Sequence, residues 1–241
     1  MPLKLSEVTL DSEFEELTRC QFDAFESPDC RLTELFFPRK GPSPDARDAT
    51  IQAAAQSQAA WHRADPTSIW LKVMDEDSNK LVGAARWHVY EADPYAVAEE
   101  GECDWWPEGE DRNMANVIME QFLTPRMTYM RKPHVFLELC FTHPDHRRRG
   151  VGRMLMEWGI QKADDKGLET YIDATDIGRQ LYRPWGFIDG ASTEFSLASF
   201  AATPRRQELE KQLLPFVWWP MHRPVRGHYE EGKKLLPWEK E

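Results

Sequence analysis

The sequence lacks any run approaching the ~18 uninterrupted apolar residues that a membrane-spanning helix needs, so no membrane partner is expected. Its opening residues, Met-Pro-Leu-Lys-Leu-Ser-Glu, reach an acid at Glu7 and have no apolar leader core, which predicts a cytoplasmic protein. Cysteine is sparse. Cys20, Cys30, Cys103 and Cys140 form no C-x-x-C pair and have no histidine at zinc-site spacing. Free thiols in a reducing compartment and no metal are therefore expected. Basic charge is also in deficit: 30 Lys and Arg stand against 41 Asp and Glu, a net charge of −11. Without a basic stripe, such a chain is repelled by phosphate backbones, and no nucleic-acid partner is expected. The patterns G-x-x-x-x-G-K-[ST] and G-x-S-x-G are absent, which removes a P-loop and a nucleophile-elbow serine hydrolase.

What is present is a globular balance, 41% apolar and 29% charged over 241 residues, enough for one large α/β domain over 1–241. Lys4 to Thr9 reads as a strand. Phe14, Leu17, Phe22 and Phe25 then recur at helical spacing up to Glu26. A helical insertion is expected at about residues 28–66, with its main helix from Asp45 to Ala64. Ile69–Met74 and Lys80–Tyr90 form an antiparallel pair across a short polar turn. The segment from Glu91 to Asp111 holds nine acids, no Lys or Arg, and the pair Trp105 and Trp106. A helix over Asn113–Met130, disturbed by Pro125, leads to a buried strand at Val135–Phe141. A helix from Gly150 to about Lys166, a strand at Thr170–Ala174 and a short helix through Tyr182 complete a parallel crossover. Arg205–Leu214 and Phe216–Trp219 supply a late helix and an apolar stretch.

The most informative segment is Arg147-Arg148-Arg149-Gly150-Val151-Gly152, with Arg153 following. Glycines at a helix start let backbone N–H groups approach a ligand, and the unpaired donors and dipole there favour phosphate. Neighbouring arginines add charge-assisted hydrogen bonds. The pattern suits a compact phosphorylated ligand such as a pyrophosphate; a basic, solvated loop that merely starts a helix is the plain alternative.

Arg147-x-x-Gly150-x-Gly152 after a buried strand resembles the acyl-CoA signature of the GCN5-related N-acetyltransferases. Leu181-Tyr182-Arg183-Pro184-Trp185-Gly186-Phe187 resembles that family's second motif, and together the two cover about residues 134–190. The resemblance implies a single α/β domain with a mixed, mostly antiparallel central sheet flanked by helices and extended by N-terminal helices. It implies acetyl-CoA as acyl donor, with the loop Arg147, Arg148, Arg149, Gly150, Val151, Gly152 and Arg153 on the pyrophosphate. Cys140, Phe141 and Thr142 would lie along the pantetheine arm. Thr175 stands where many relatives carry an Asn that contacts pantetheine.

By the same resemblance, Tyr182 is the candidate general acid for the departing thiolate; otherwise it is a packed aromatic with its hydroxyl tied to the backbone. Glu138 is the candidate base. Strand alternation puts Glu138, Cys140 and Thr142 on one face, and burial is expected to raise its pKa. A structural carboxylate paired with Arg or Lys is the equal alternative. Trp105 and Trp106, in the acidic segment at about 91–111, could collect a cationic amine, and Asp173 could touch substrate; a solvated loop and a strand-end cap are the competing readings. The expected activity is acetyl-CoA-dependent transfer of an acetyl group to a primary, small cationic amine. The rival is a non-catalytic acyl-CoA-binding scaffold on the same fold. Monomer and homodimer stay equally open.

Overall fold

The computed structural model describes residues 2–39, 41, 43–96, 101–229 and 236–239. The chain begins with β1 (Leu3–Glu7) and α1 (Phe14–Phe25). The Glu13 carboxylate accepts from the Thr9 and Leu10 N–H groups at 2.9 Å, closing the turn that starts α1. The expected insertion contains α2 (Leu32–Phe36) and α3 (Pro44–Ala64). Ser43 caps α3 by accepting from Ala46 N, and Pro44 fits the first turn, where no donor is required. The strands β2 (Ser68–Asp75) and β3 (Lys80–Tyr90) follow, then α4 (Glu110–Tyr129), β4 (His134–Thr142) and α5 (Val151–Lys166). The remaining elements are β5 (Glu169–Ala174), α6 (Asp176–Tyr182), β6 (Ile188–Asp189), β7 (Thr193–Glu194), α7 (Pro204–Leu213) and β8 (Val217–Arg223).

The strands form one mixed sheet in the order β1-β2-β3-β4-β5-β8-β6, with β7 also on β8. All pairs are antiparallel except β4 with β5, joined by the α5 crossover. That parallel pair is short. Its register runs only from His134↔Glu169 to Leu137↔Ile172, so the rest of β4 diverges from β5. The split opens the sheet where α5 begins.

One face of the sheet packs on α5 through Val135, Leu137, Leu155, Met156 and Ile160. Trp87 is buried there, and its indole N–H donates to Leu155 O at 3.3 Å. The other face packs on α1 and α3, joining Phe14, Leu17, Ala55, Ala59, Trp70 and Phe141. A third cluster unites α4, α7 and β8 around Ile118, Phe122, Leu209 and Trp218. No helix among the described residues is long and apolar enough to cross a membrane.

Candidate active site

A cleft of about 650 Å³ opens at the split between β4 and β5. Cys140, Phe141 and Thr142 line it from β4, and Arg147, Arg148, Gly150, Val151, Gly152 and Arg153 from the loop and the start of α5. Gly150 holds φ +92° at the helix N-cap, a left-handed conformation that other residues adopt only with strain. The first turn of α5 thus faces the cleft without a capping side chain. Gly83 lets this helix end sit close to the sheet, since a Cβ there would lie 2.5 Å from Val151 Cγ1 and 2.7 Å from Phe141 O. Arg148 and Arg153 form no ion pair among the described residues. Arg147 donates to Ala24 O at 2.9 Å, tying the loop to α1.

One loop expectation needs correction. Arg149 does not line the cleft: its guanidinium bonds Asp75 at 3.0 Å and also meets His146. The φ of +58° at Arg148 turns consecutive side chains apart, so Arg149 anchors the loop to the β2 end. Thr175 does line the cleft, but its hydroxyl oxygen accepts from Gly178 N at 3.2 Å as the cap of α6. Its O–H donor and a second lone pair remain available.

Tyr182 ends α6 inside the cleft and is 6% exposed. Its hydroxyl makes no hydrogen bond to a described residue, so the tie to the backbone weighed above is not formed. Burial, with Cys140 adding to it, pushes the phenol well above its usual pKa. It is held neutral, in the protonated form a proton donor requires.

Glu138 behaves differently from expectation. Arg86 pairs with Leu139 and Trp87 with Leu137, leaving Glu138 as the extra residue of a bulge in β4. Simple alternation therefore fails: Glu138 and Leu139 line a second pocket, while Cys140 and Thr142 line the cleft. The carboxylate meets Arg86 Nη1 at 3.0 Å and His88 Nε2 at 3.2 Å. Burial alone would raise its pKa, but Arg86, His88 and Arg126 outweigh it and hold the carboxyl at about 2. The expected upward shift is thus reversed. His88 lies between two carboxylates, with Nδ1 3.2 Å from Asp65. Burial disfavours its charged form, yet the bonds to Asp65 and Glu138 prevail and raise its pKa.

The second pocket, about 400 Å³, adjoins the cleft along β4, and Phe25 borders both. Phe36, Phe37, Trp61, Trp105 and Phe122 form much of its wall. Trp105 is therefore in the pocket, but Trp106 is not: it is 3% exposed and packed among the α4 core residues. Both indoles donate to Leu35 O, at 2.9 and 2.8 Å. Asp173 lines neither cavity; it is buried against Arg126, which does face the second pocket. Three acids of the 91–111 segment are answered by cations from elsewhere, Glu91 by Lys166, Asp93 by Arg131 and Asp111 by Arg205. Residues 97–100 of that segment lie outside the described residues. Sequence reasoning missed Phe25, Trp61, Arg86 and His88. Their only signal was an aromatic and charged excess on elements assigned to the core.

With this geometry in hand, the comparisons with known proteins are specific about fold. No curated protein matches the chain. Among solved structures, a Drosophila melanogaster polyamine N-acetyltransferase that forms N-acetylagmatine superposes with TM-score 0.61 and 14% identity, covering 92% of this chain and 99% of its own. An arylalkylamine N-acetyltransferase from Aedes aegypti gives TM-score 0.60 and 12% identity, with 93% and 100% covered. A histone acetyltransferase and related acetyltransferase from Corynebacterium glutamicum gives 0.57 and 18%, with 93% and 97% covered. The family model for the acetyltransferase (GNAT) family matches residues 31–187, well over half the chain. The sheet split, the arginine–glycine loop and that match agree, and the chain belongs to the acetyltransferase (GNAT) family.

Proposed function

We propose that this protein transfers an acetyl group from acetyl-CoA to a primary amine, a small cationic one, by direct attack through a tetrahedral intermediate. The observation that carries the reading is the meeting of two cavities along β4: a cleft with a basic helix start and an unbonded Tyr182 hydroxyl, and a pocket that ends on Glu138. The Drosophila and Aedes relatives act on small amines, which is in keeping with this assignment.

Acetyl-CoA would supply an activated acyl group as a thioester. The residues fit such a donor. Among the described residues β4 beyond Leu137 has no strand partner on its β5 side, so its backbone can pair with an extended amide-bearing arm as a further strand would. The open first turn of α5, with Arg147, Arg148 and Arg153, suits a pyrophosphate. Backbone N–H groups near Cys140 and Phe141 would polarise the carbonyl.

The remaining work falls to side chains. Glu138, ionised and fixed by Arg86 and His88, orients the amine by charge. At a pKa of about 2 it is a weak proton acceptor, so it holds the ammonium by charge, and the ammonium gives its proton to solvent before the freed nitrogen attacks the carbonyl. Tyr182, kept neutral, donates its proton to the leaving sulfur. Thiol release from acetyl-CoA across a panel of primary amines tests the reading. Saturable release establishes it; tight acetyl-CoA binding with no release from any amine returns the acyl-CoA-binding scaffold.

A further inference from the structure

Four aromatic rings in the second pocket are packed on one another before any ligand arrives. Phe36 stacks on Trp105 at 6.2 Å, Phe37 on Trp61 at 5.9 Å, and Trp61 meets Trp105 edge-on at 6.0 Å. A wall whose rings hold each other in place presents flat apolar surface with little ordering left to occur on binding.

The charges in the pocket select against a ligand with several cations. Glu138 and Asp65 are its two carboxylates. Glu138 is engaged by Arg86 and His88, and Asp65 by His88. Arg86 and Arg126 also face the pocket. One ammonium can rest beside Glu138. A second would find only Asp65, already bonded by His88 and Thr67, and a third no carboxylate at all; a charge buried unpaired is strongly disfavoured.

Two polar groups in the same wall lack partners. Gln21 on α1 and Thr33 on α2 both line the pocket, and Gln21 Oε1 and Thr33 Oγ1 are buried without a hydrogen bond. Buried acceptors in that condition call for a donor. They lie on the helices that frame the aromatic rings, not beside Glu138 on the sheet.

We infer that the acceptor is an arylalkylamine: one primary amine on a short linker from an aromatic ring, the ring bearing a hydroxyl or N–H donor. The inference rests on the acetyltransferase reading above and narrows its substrate. The ammonium sits at Glu138, the ring lies against Trp61 and Trp105, and the ring's donor reaches toward Gln21 and Thr33.

The experiment compares kcat/KM for tyramine, tryptamine, 2-phenylethylamine, spermidine, agmatine and glucosamine at saturating acetyl-CoA, with acetyl-CoA affinity measured separately by calorimetry. Tyramine and tryptamine should exceed spermidine and agmatine by at least about tenfold, and tyramine should exceed 2-phenylethylamine several-fold. Trp105→Ala should raise KM for the ring amines about tenfold with a smaller change in kcat. Thr33→Val should cut the tyramine preference over 2-phenylethylamine. Equal or better use of spermidine or agmatine overturns the inference, as does a Trp105→Ala effect of equal size on ring amines and spermidine. Turnover confined to ring-free amines leaves the acetyltransferase reading intact; absence of both acetyl-CoA binding and turnover removes both.

Discussion

Arg86 Nη1 stands 3.0 Å from Glu138 Oε2 across the β3–β4 bulge, so the carboxylate at the pocket's end is held by a neighbouring strand rather than by solvent. A guanidinium that close keeps the carboxylate charged and aimed. It also removes the proton affinity that a strong general base would need.

Glu138→Gln should therefore weaken use of the amine without reshaping the pH–rate curve. Loss of a charge-assisted contact worth ~1.5–3 kcal/mol corresponds to a drop of roughly 10- to 150-fold in kcat/KM. Between about pH 6 and 9, far above the Glu138 pKa, both proteins should show curves of the same form, apart from a His88 titration moved to lower pH because Glu138 is one of the two carboxylates that raise it. Disappearance of a titrating limb in the variant would restore Glu138 as the base.

The same network predicts a pH window for stability. Glu138 has a folded pKa of about 2, below its unfolded value of about 4.3. Its stabilisation is complete above the unfolded value and lost as pH falls toward 2. His88 is raised in the folded chain, so its share is complete below about pH 6.5 and lost as pH rises through the folded pKa. The gap in urea stability between the natural protein and Glu138→Gln should be widest at about pH 4.5–6.5 and narrow on both sides. A gap independent of pH contradicts the network.

Tyr182→Phe keeps the ring that packs on Phe187 and deletes only the hydroxyl. Loss of a positioned proton donor should lower turnover by roughly 10²–10⁴-fold. Acetyl-CoA affinity by calorimetry should stay within a small factor, and full activity would exclude Tyr182 as the acid.

Gly152→Asp places a carboxylate in the first turn of α5, facing the cleft. The helix dipole favours it by ~0.3–1 kcal/mol, while a phosphate is repelled. Its Cβ falls 3.1 Å from Leu181 Cδ2, a side-chain end that can shift. Acetyl-CoA binding should collapse while the melting temperature stays near that of the parent; unchanged affinity would exclude the loop as phosphate holder.

Gly159 on α5 meets Trp87 so closely that a Cβ would lie 2.2 Å from the indole ring. Trp87 is fully buried and cannot withdraw. Gly159→Ala should cost ~1–3 kcal/mol by overpacking, visible as a lower urea midpoint. An undiminished midpoint would mean that α5 can shift away from the sheet.

Much of the fold was legible because its signals are local. The apolar repeat that makes α5, the turn before β3 and the Gly150 N-cap each act over a few residues. The cleft was legible for the same reason: β4, the arginine–glycine loop and α6 follow one another closely, and a short crossover brings them to one end of the sheet. Arg149 was the exception, since a positive φ at Arg148 leaves no mark in the residue types.

The second pocket depended on distance in sequence. Phe36, Trp61, Trp105 and Phe122 come from three helices and a loop, and each looks like core until the fold places them together. The bulge at Glu138 is a mismatch between two strands, so no single-strand periodicity records it. Charge shows the division most plainly. Residue order alone carried the family resemblance, the loop proposed to hold phosphate and the tyrosine proposed to donate a proton, because backbone conformation and helix ends follow from neighbouring residues. That Asp93, Asp111 and Asp173 are spent on arginines from other elements, and that Glu138 is held ionised, emerged only in the folded chain. Coulomb energy and desolvation depend on separation in space, which residue order does not encode.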